Sequence, residues 1–230
     1  MSGKLQSFAD SLWTSSTTIR FAGMWIPHVM TVIRLSDGSL VLHSPCFPSV
    51  DLHAQVRQLG DVAHVVAPNW FHDLYLAEYK RSYPEATFWG PPFMRRLAPR
   101  LIDRVVEDTT QTPWSNEMPH AVIRGFLTFD EAIFFHAPTR TAIVADLLMN
   151  LAADCTTPLY TRFMYKVGGV DGKLAVPPYL RWFSLTSRAE LRRTAQRLMQ
   201  WRPERLIVGH GLPISGDAMS RLREALDWLL

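Results

Sequence analysis

Apolar positions alternate through Met30–Leu35, break at Ser36-Asp37-Gly38-Ser39 and resume at Leu40–Leu42. Alternation of period two about a Gly-containing turn predicts a β-hairpin over residues 25–45. The period then changes. Leu52, Val56 and Leu59 share one face of a short helix over 51–59, and Gly60 stands where a C-terminal cap belongs. Ala63–Ala67, closed by Pro68, reads as a buried strand. Leu74–Tyr83 reads as a helix with Leu76, Tyr79 and Tyr83 on one face, stopped by Pro84. A strand over Ala86–Trp89 and a helix over Pro92–Leu101 follow.

Farther along, 121–129 and 132–136 are predicted strands joined by Asp130-Glu131, and 142–145 is a third strand after the Pro138–Thr141 turn. Ser187-Arg188-Ala189-Glu190 has the form of a capping box, in which hydroxyl and carboxylate satisfy free backbone donors at a helix start. Leu191, Ala195, Leu198 and Met199 line that helix, Arg205–Val208 is a buried strand, and Met219, Leu222, Leu226 and Leu229 stripe the last helix. Strands, βα units, more strands, then αβα is not a uniform βαβ repeat. It fits an α+β fold of two mixed sheets packed face to face with helices outside, a four-layer αββα sandwich. The chain reads as one domain over 1–230, with 1–19 as an N-terminal extension.

Composition narrows the function without naming it. A chain of 230 residues, 47% hydrophobic and 20% charged, is ordinary for a globular protein and long enough to bury a core. A net charge of +3 is too small to argue for nucleic acid. Cys46 and Cys155 match neither a disulfide framework nor a Cys-x-x-Cys metal motif, so reduced thiols in a cytoplasmic protein are expected. The first 21 residues lack the continuous apolar core of a signal peptide, and no run of about 18 apolar residues exists to span a membrane. The expected partner is a small molecule, not nucleic acid or membrane. The oligomeric state is not indicated.

The chemistry rests on a resemblance. The strand Ala63–Ala67 leads into Pro68-Asn69-Trp70-Phe71-His72-Asp73-Leu74 and then a helix. This resembles the His-x-His-x-Asp-His turn of the metallo-β-lactamase superfamily. In that register Asn69 and Phe71 stand at the first two His positions, Asp73 at the Asp, Leu74 at the last His, and His72 at a spacer. Downstream, Ile123-Arg124-Gly125-Phe126 resembles the family's Gly-His segment with Phe126 replacing the His. Ala142–Leu148 resembles the strand ending in a metal-bridging Asp, here Asp146, and Ile207–Gly211 the strand ending in the final His, here His210. The early hairpin also fits, although His43-Ser44-Pro45 stands where an Asp usually closes it. The resemblance covers roughly residues 20–230. The Pro-Asn turn is similar to that of a small uncharacterised family within this fold.

The resemblance implies a dinuclear metal site, and only Asp73, Asp146 and His210 of its ligands remain. Asn69 offers a weak amide oxygen; Phe71, Leu74 and Phe126 offer none and are expected to plug the first metal position. One reading is therefore a single divalent metal held by Asp73, Asp146 and His210, with zinc, iron and manganese all admissible to so oxygen-rich a set. Asp73 and His72 are then the candidate catalytic groups. His72 is also an alternative ligand if the turn is remodelled. The other reading is an empty site, in which Asp73 and Asp146 cap local structure and His210 is a core histidine. Asn69 and Trp70 are candidate substrate contacts. So are Arg162, Tyr165 and Lys166, unless Thr161–Lys166 is simply an amphipathic surface segment. Arg188, Arg192, Arg193 and Arg197 fit a solvated helix face. The function implied is a metallo-hydrolase-like protein acting on an ester, thioester or lactone. The alternative is a non-catalytic binding module whose old cleft is made apolar by Trp70, Phe71 and Phe126.

Overall fold

The structure is a computed structural model that describes residues 3–127, 130–184 and 186–230, with backbone alone for 182–184. The first half of the chain supplies β1 (Gln6–Ala9), β2 (Leu12–Phe21), β3 (Met24–Arg34), β4 (Leu40–His43), β5 (Val62–Val66), β6 (Thr87–Gly90) and β7 (Arg104–Val105). These pair in sequence order as one mixed sheet, antiparallel through β4 and parallel from β4 to β7. The helices α1 (Val50–Leu59), α2 (Leu76–Ser82) and α3 (Pro92–Leu97) are its parallel crossovers.

The second half supplies β8 (His120–Ile123), β9 (Glu131–His136), β10 (Thr141–Ile143), β11 (Met149–Asn150), β12 (Arg205–Ile207), β13 (His210–Gly211) and β14 (Ile214–Ser215). Five of these form a sheet in the order β14-β12-β10-β9-β8, and β11 pairs separately with β13. Three helices accompany them: α4 (Leu159–Val167), α5 (Arg188–Gln200) and α6 (Ala218–Leu226). No helix among the described residues is long and apolar enough to cross a membrane.

Side chains alternate faces along a strand, and that alternation builds the layers. On β3 and β4, Met30, Val32, Leu40 and Leu42 pack outward against Leu52, Val56, Leu76 and Tyr79 of α1 and α2. Their neighbours Val29, Ile33 and Val41 turn the other way and meet Val122, Phe134, Ile143 and Ile207 of the second sheet. The second sheet's remaining positions, Ala121, Ile123, Ile133, Ala142 and Leu206, pack against Leu191, Leu198, Leu222 and Leu226 of α5 and α6. Helices, sheet, sheet and helices follow in that order, which is the αββα sandwich.

Three local expectations shift. Residues 1–19, expected as an extension, instead carry β1 and most of β2, paired with β3. Serine and threonine dilute the apolar alternation there, while the β-branched threonines still favour a strand. The helix expected over 92–101 stops at Leu97, because Pro99 disfavours helical backbone at Ala98 (φ −127°, ψ 61°). The strand expected over 121–129 ends at Ile123; its expected continuation through 128 and 129 lies outside the described residues.

Six of the eight histidines, His28, His43, His53, His64, His120 and His136, are held below the ordinary imidazole range, chiefly by burial. His43 is lowered to about 3 by burial and, next, by the nearby His72. A depressed histidine contributes stability that is full above the unfolded value of 6.5 and is lost as pH falls. At pH 5 the loss from His43 alone is about 2 kcal/mol. His43→Phe therefore shrinks the difference in unfolding free energy between pH 7.5 and pH 5 by about that amount. Denaturant melts at the two pH values check this; equal pH sensitivity in both proteins would contradict it.

Candidate metal centre

Three side chains from separate segments meet where the strands end. His72 closes the short 3₁₀ turn Trp70–His72 after β5, Asp146 follows β10, and His210 opens β13. All three are buried, and one donor atom from each lies within 4.8 Å of the other two. His210 Nε2 is 3.0 Å from Asp146 Oδ1, and His72 Nε2 is 3.3 Å from Asp146 Oδ2. His72 Nε2 still lacks a well-aligned hydrogen-bond partner. This is the one cluster of three or more metal-ligating side chains among the described residues.

Each member is held from behind. His210 Nδ1 sits 2.7 Å from the Pro27 carbonyl of β3. Only an N–H can satisfy that oxygen, so Nδ1 carries a proton, and Nε2 donates to Asp146 when it is protonated as well. His72 Nδ1 lies 2.7 Å from Ser44 Oγ, and His28 Nε2 lies 2.9 Å from the same hydroxyl. Ser44 adopts a positive φ of 57° just after β4, an uncommon conformation for a residue with a side chain. Its hydroxyl thereby links two histidine rings whose centroids are 5.0 Å apart.

Asp146 is fixed by a second carboxylate. Glu131, fully buried on β9, accepts backbone N–H bonds from Ala145 (2.8 Å), Asp146 (2.8 Å) and Leu147 (3.0 Å). Asn69 caps the 3₁₀ turn through its Oδ1 and donates Nδ2 to Asp146 Oδ2 at 2.9 Å and to Glu131 Oε2 at 3.3 Å. Burial opposes ionising Asp146, but the adjacent His72 and the bond from His210 outweigh it and hold the carboxyl well below its usual range. Burial, with Asp146 close by, pushes Glu131 up to about 7. Burial lowers His210, yet Asp146 and the Pro27 carbonyl raise it on balance.

The flanking glycines make room for this arrangement. A Cβ on Gly209 would stand 2.9 Å from the Ala145 Cα and 3.0 Å from the His72 ring. At Gly211 (φ 110°) it would collide with the Asn150 carbonyl across the β11–β13 pair. Gly-His-Gly is thus a steric requirement of the site.

The fold brings Asn69, Asp146 and His210 together, each just after the strand that the sequence order assigned to it. The register differs at Asp73. The 3₁₀ turn draws His72 inward and leaves Asp73 exposed, outside the cluster. Leu74, expected to plug the first metal position, is 53% exposed. Phe126 is buried in the core that packs α5 and α6 on the second sheet, and Trp70 and Phe71 lean on that core. The Trp70 indole nitrogen is buried without a partner. Tyr165 is buried and donates its hydroxyl to the Trp25 carbonyl at 2.6 Å, while Arg162 and Lys166 are exposed on α4. His28, Ser44 and Glu131 were not singled out from the sequence as site residues. Cys46 is buried with its thiol pushed up to about 11 by burial, which does not suit a nucleophile.

Solved structures with this arrangement of sheets and helices include metallo-β-lactamases. The chain superposes on the enzyme from Pontibacter korlensis with a TM-score of 0.67 at 14% identity, covering 99% of this chain and 98% of that one. The enzyme from Erythrobacter litoralis gives 0.68 at 12% identity, covering 99% and 97%. The mono-zinc form of FIM-1 from Pseudomonas aeruginosa gives 0.65 at 10% identity, covering 99% and 96%. The fold is therefore that of the metallo-β-lactamases. Within it, residues 9–159 match the model of a domain of unknown function, DUF4336, and the chain belongs to that family. A search of curated proteins gives no match.

Glu131→Gln puts an amide N–H₂ among backbone donors that need acceptors. It is expected to cost about 1–3 kcal/mol of stability, read by denaturant unfolding. An unchanged midpoint would show that Glu131 does not anchor the Asp146 loop.

Proposed function

We propose that this chain is a metallo-hydrolase-like protein that holds one divalent metal on His72, Asp146 and His210. It acts in the cytoplasm, as a single domain, on a small-molecule ester, thioester or lactone. The observation that carries the reading is the convergence of these three buried donor atoms within 4.8 Å. Two imidazoles and one carboxylate suit zinc better than the oxygen-rich set expected from sequence, and also admit iron. When bound, such an ion supplies Lewis acidity and acidifies a water molecule.

The chain's own residues then have distinct tasks. The Pro27 carbonyl and Ser44 hydroxyl orient the two imidazoles, a common way of fixing metal-binding histidines. Glu131 and Asn69 aim the Asp146 carboxylate. Asp73 and His72, the catalytic groups expected from sequence, divide: His72 is a ligand, and Asp73 is left as a peripheral, solvent-exposed carboxylate.

One observation favours the rival, a non-catalytic binding module. Asp146 already has Asn69 and both histidines as partners, so the site is satisfied electrostatically without an ion. Thermal melts separate the two. A metal that binds the folded state stabilises it by mass action. A chelator therefore lowers Tm, added zinc restores it, and Asp146→Ala abolishes the response. A melt indifferent to chelator, zinc, iron and manganese would overturn the metal reading.

Ser44→Gly accommodates the positive φ but removes the hydroxyl behind His72. It is expected to weaken zinc affinity about tenfold, measured by competition with a chromophoric chelator. Unchanged affinity would remove Ser44 from the site.

A further inference from the structure

Helix α4 carries its apolar residues on the wrong side for a core. Thr161 and Tyr165 face inward, where they bond the backbone of Trp25 at the start of β3. The opposite face presents Leu159 (80% exposed), Phe163 (61%) and Val167 (63%), one turn apart, with Tyr160 (52%) beside them. At 3.6 residues per turn these four positions span about 100° of arc. Arg162 and Lys166 are exposed along one edge of that arc. The helix rests on the tip of the β2–β3 hairpin, whose Phe21 and Trp25 are also largely exposed. Arg20 lies over the Trp25 ring, and Phe21 reaches the ring of Phe71, the residue before His72, 6.4 Å between centroids.

We infer that this face docks the protein on an anionic lipid surface. An apolar arc edged by cations lets a helix lie in the headgroup layer, with aliphatic and aromatic groups in the acyl boundary and lysine or arginine among the phosphates. Tyrosine and tryptophan favour the same boundary, since each has an apolar body and a polar tip. Neither α4 nor residues 20–25 contains an acidic residue, so nothing in the patch repels an anionic headgroup. Asp154, nearby in sequence, is engaged in its own turn by Thr156 and Thr157. A second copy of this chain is the rival occupant, and the sedimentation measurement below separates the two. The inference goes beyond the expectation of a membrane-free protein, and it gives Arg162 and Lys166 a lipid headgroup in place of the substrate. It does not depend on a metal being bound.

Flotation of the full chain with vesicles tests it. The probes are phosphatidylcholine vesicles and vesicles with about one third phosphatidylglycerol. Binding is expected to the second kind, weakening as salt rises. Arg162→Glu with Lys166→Glu reduces it by about fivefold or more for each cation lost. Leu159→Ser with Phe163→Ser reduces it about tenfold at unchanged charge. Both pairs are exposed, so Tm stays that of the wild type. No binding to anionic vesicles, or binding that neither pair alters, would overturn the proposal. So would self-association in sedimentation velocity that the Leu159→Ser, Phe163→Ser pair abolishes, since the face would then join two copies.

Discussion

A carboxylate taken out of water must find partners, and the local structure is organised around that need at Asp146. Its charge is met by Asn69 and by the two histidines of the same cluster. Its backbone is met by Glu131. Because those partners come from the ends of β5, β9 and β13, satisfying one buried acid ties both sheets together at one edge. The glycines around His210 follow from the same constraint, since the histidine reaches Asp146 only where the backbone can pass close to Ala145 and Asn150.

The arrangement also explains how the site keeps its shape. Asn69 does two things with one amide: Oδ1 starts the 3₁₀ turn and Nδ2 steadies the acids. That turn selects His72 over Asp73. An aspartate carried inward there would stand beside Asp146 and Glu131 as a third buried acid. A histidine brings a neutral or positive partner instead, which Ser44 and His28 can steady from behind.

Much of this was legible in the sequence. Period-two runs, the turn at Ser36–Ser39 and the capping Ser187 located most elements, and the order of those elements carried the layered fold. Asn69, Asp146 and His210 were singled out because each follows a strand in a recognisable order. What was hidden depends on tertiary contact. Nothing local marks Glu131, since Asp-Glu between two strands reads as a turn. The His28–Ser44–His72 link joins residues 16 and 28 positions apart. The choice between His72 and Asp73 turns on a single residue of backbone phase. The strand β2 was missed because its serines and threonines carry no apolar alternation, although its pairing with β3 is extensive, and β1, which pairs with β2, is only four residues long.

The central claim is that His72, Asp146 and His210, and not Asp73, form the metal-binding set. Isothermal titration of zinc into the metal-free wild type, Asp73→Ala and His72→Ala proteins tests it most directly. The account predicts one site per chain in the wild type, the same site in Asp73→Ala, and its loss in His72→Ala. Binding that survives in His72→Ala and disappears in Asp73→Ala would contradict it.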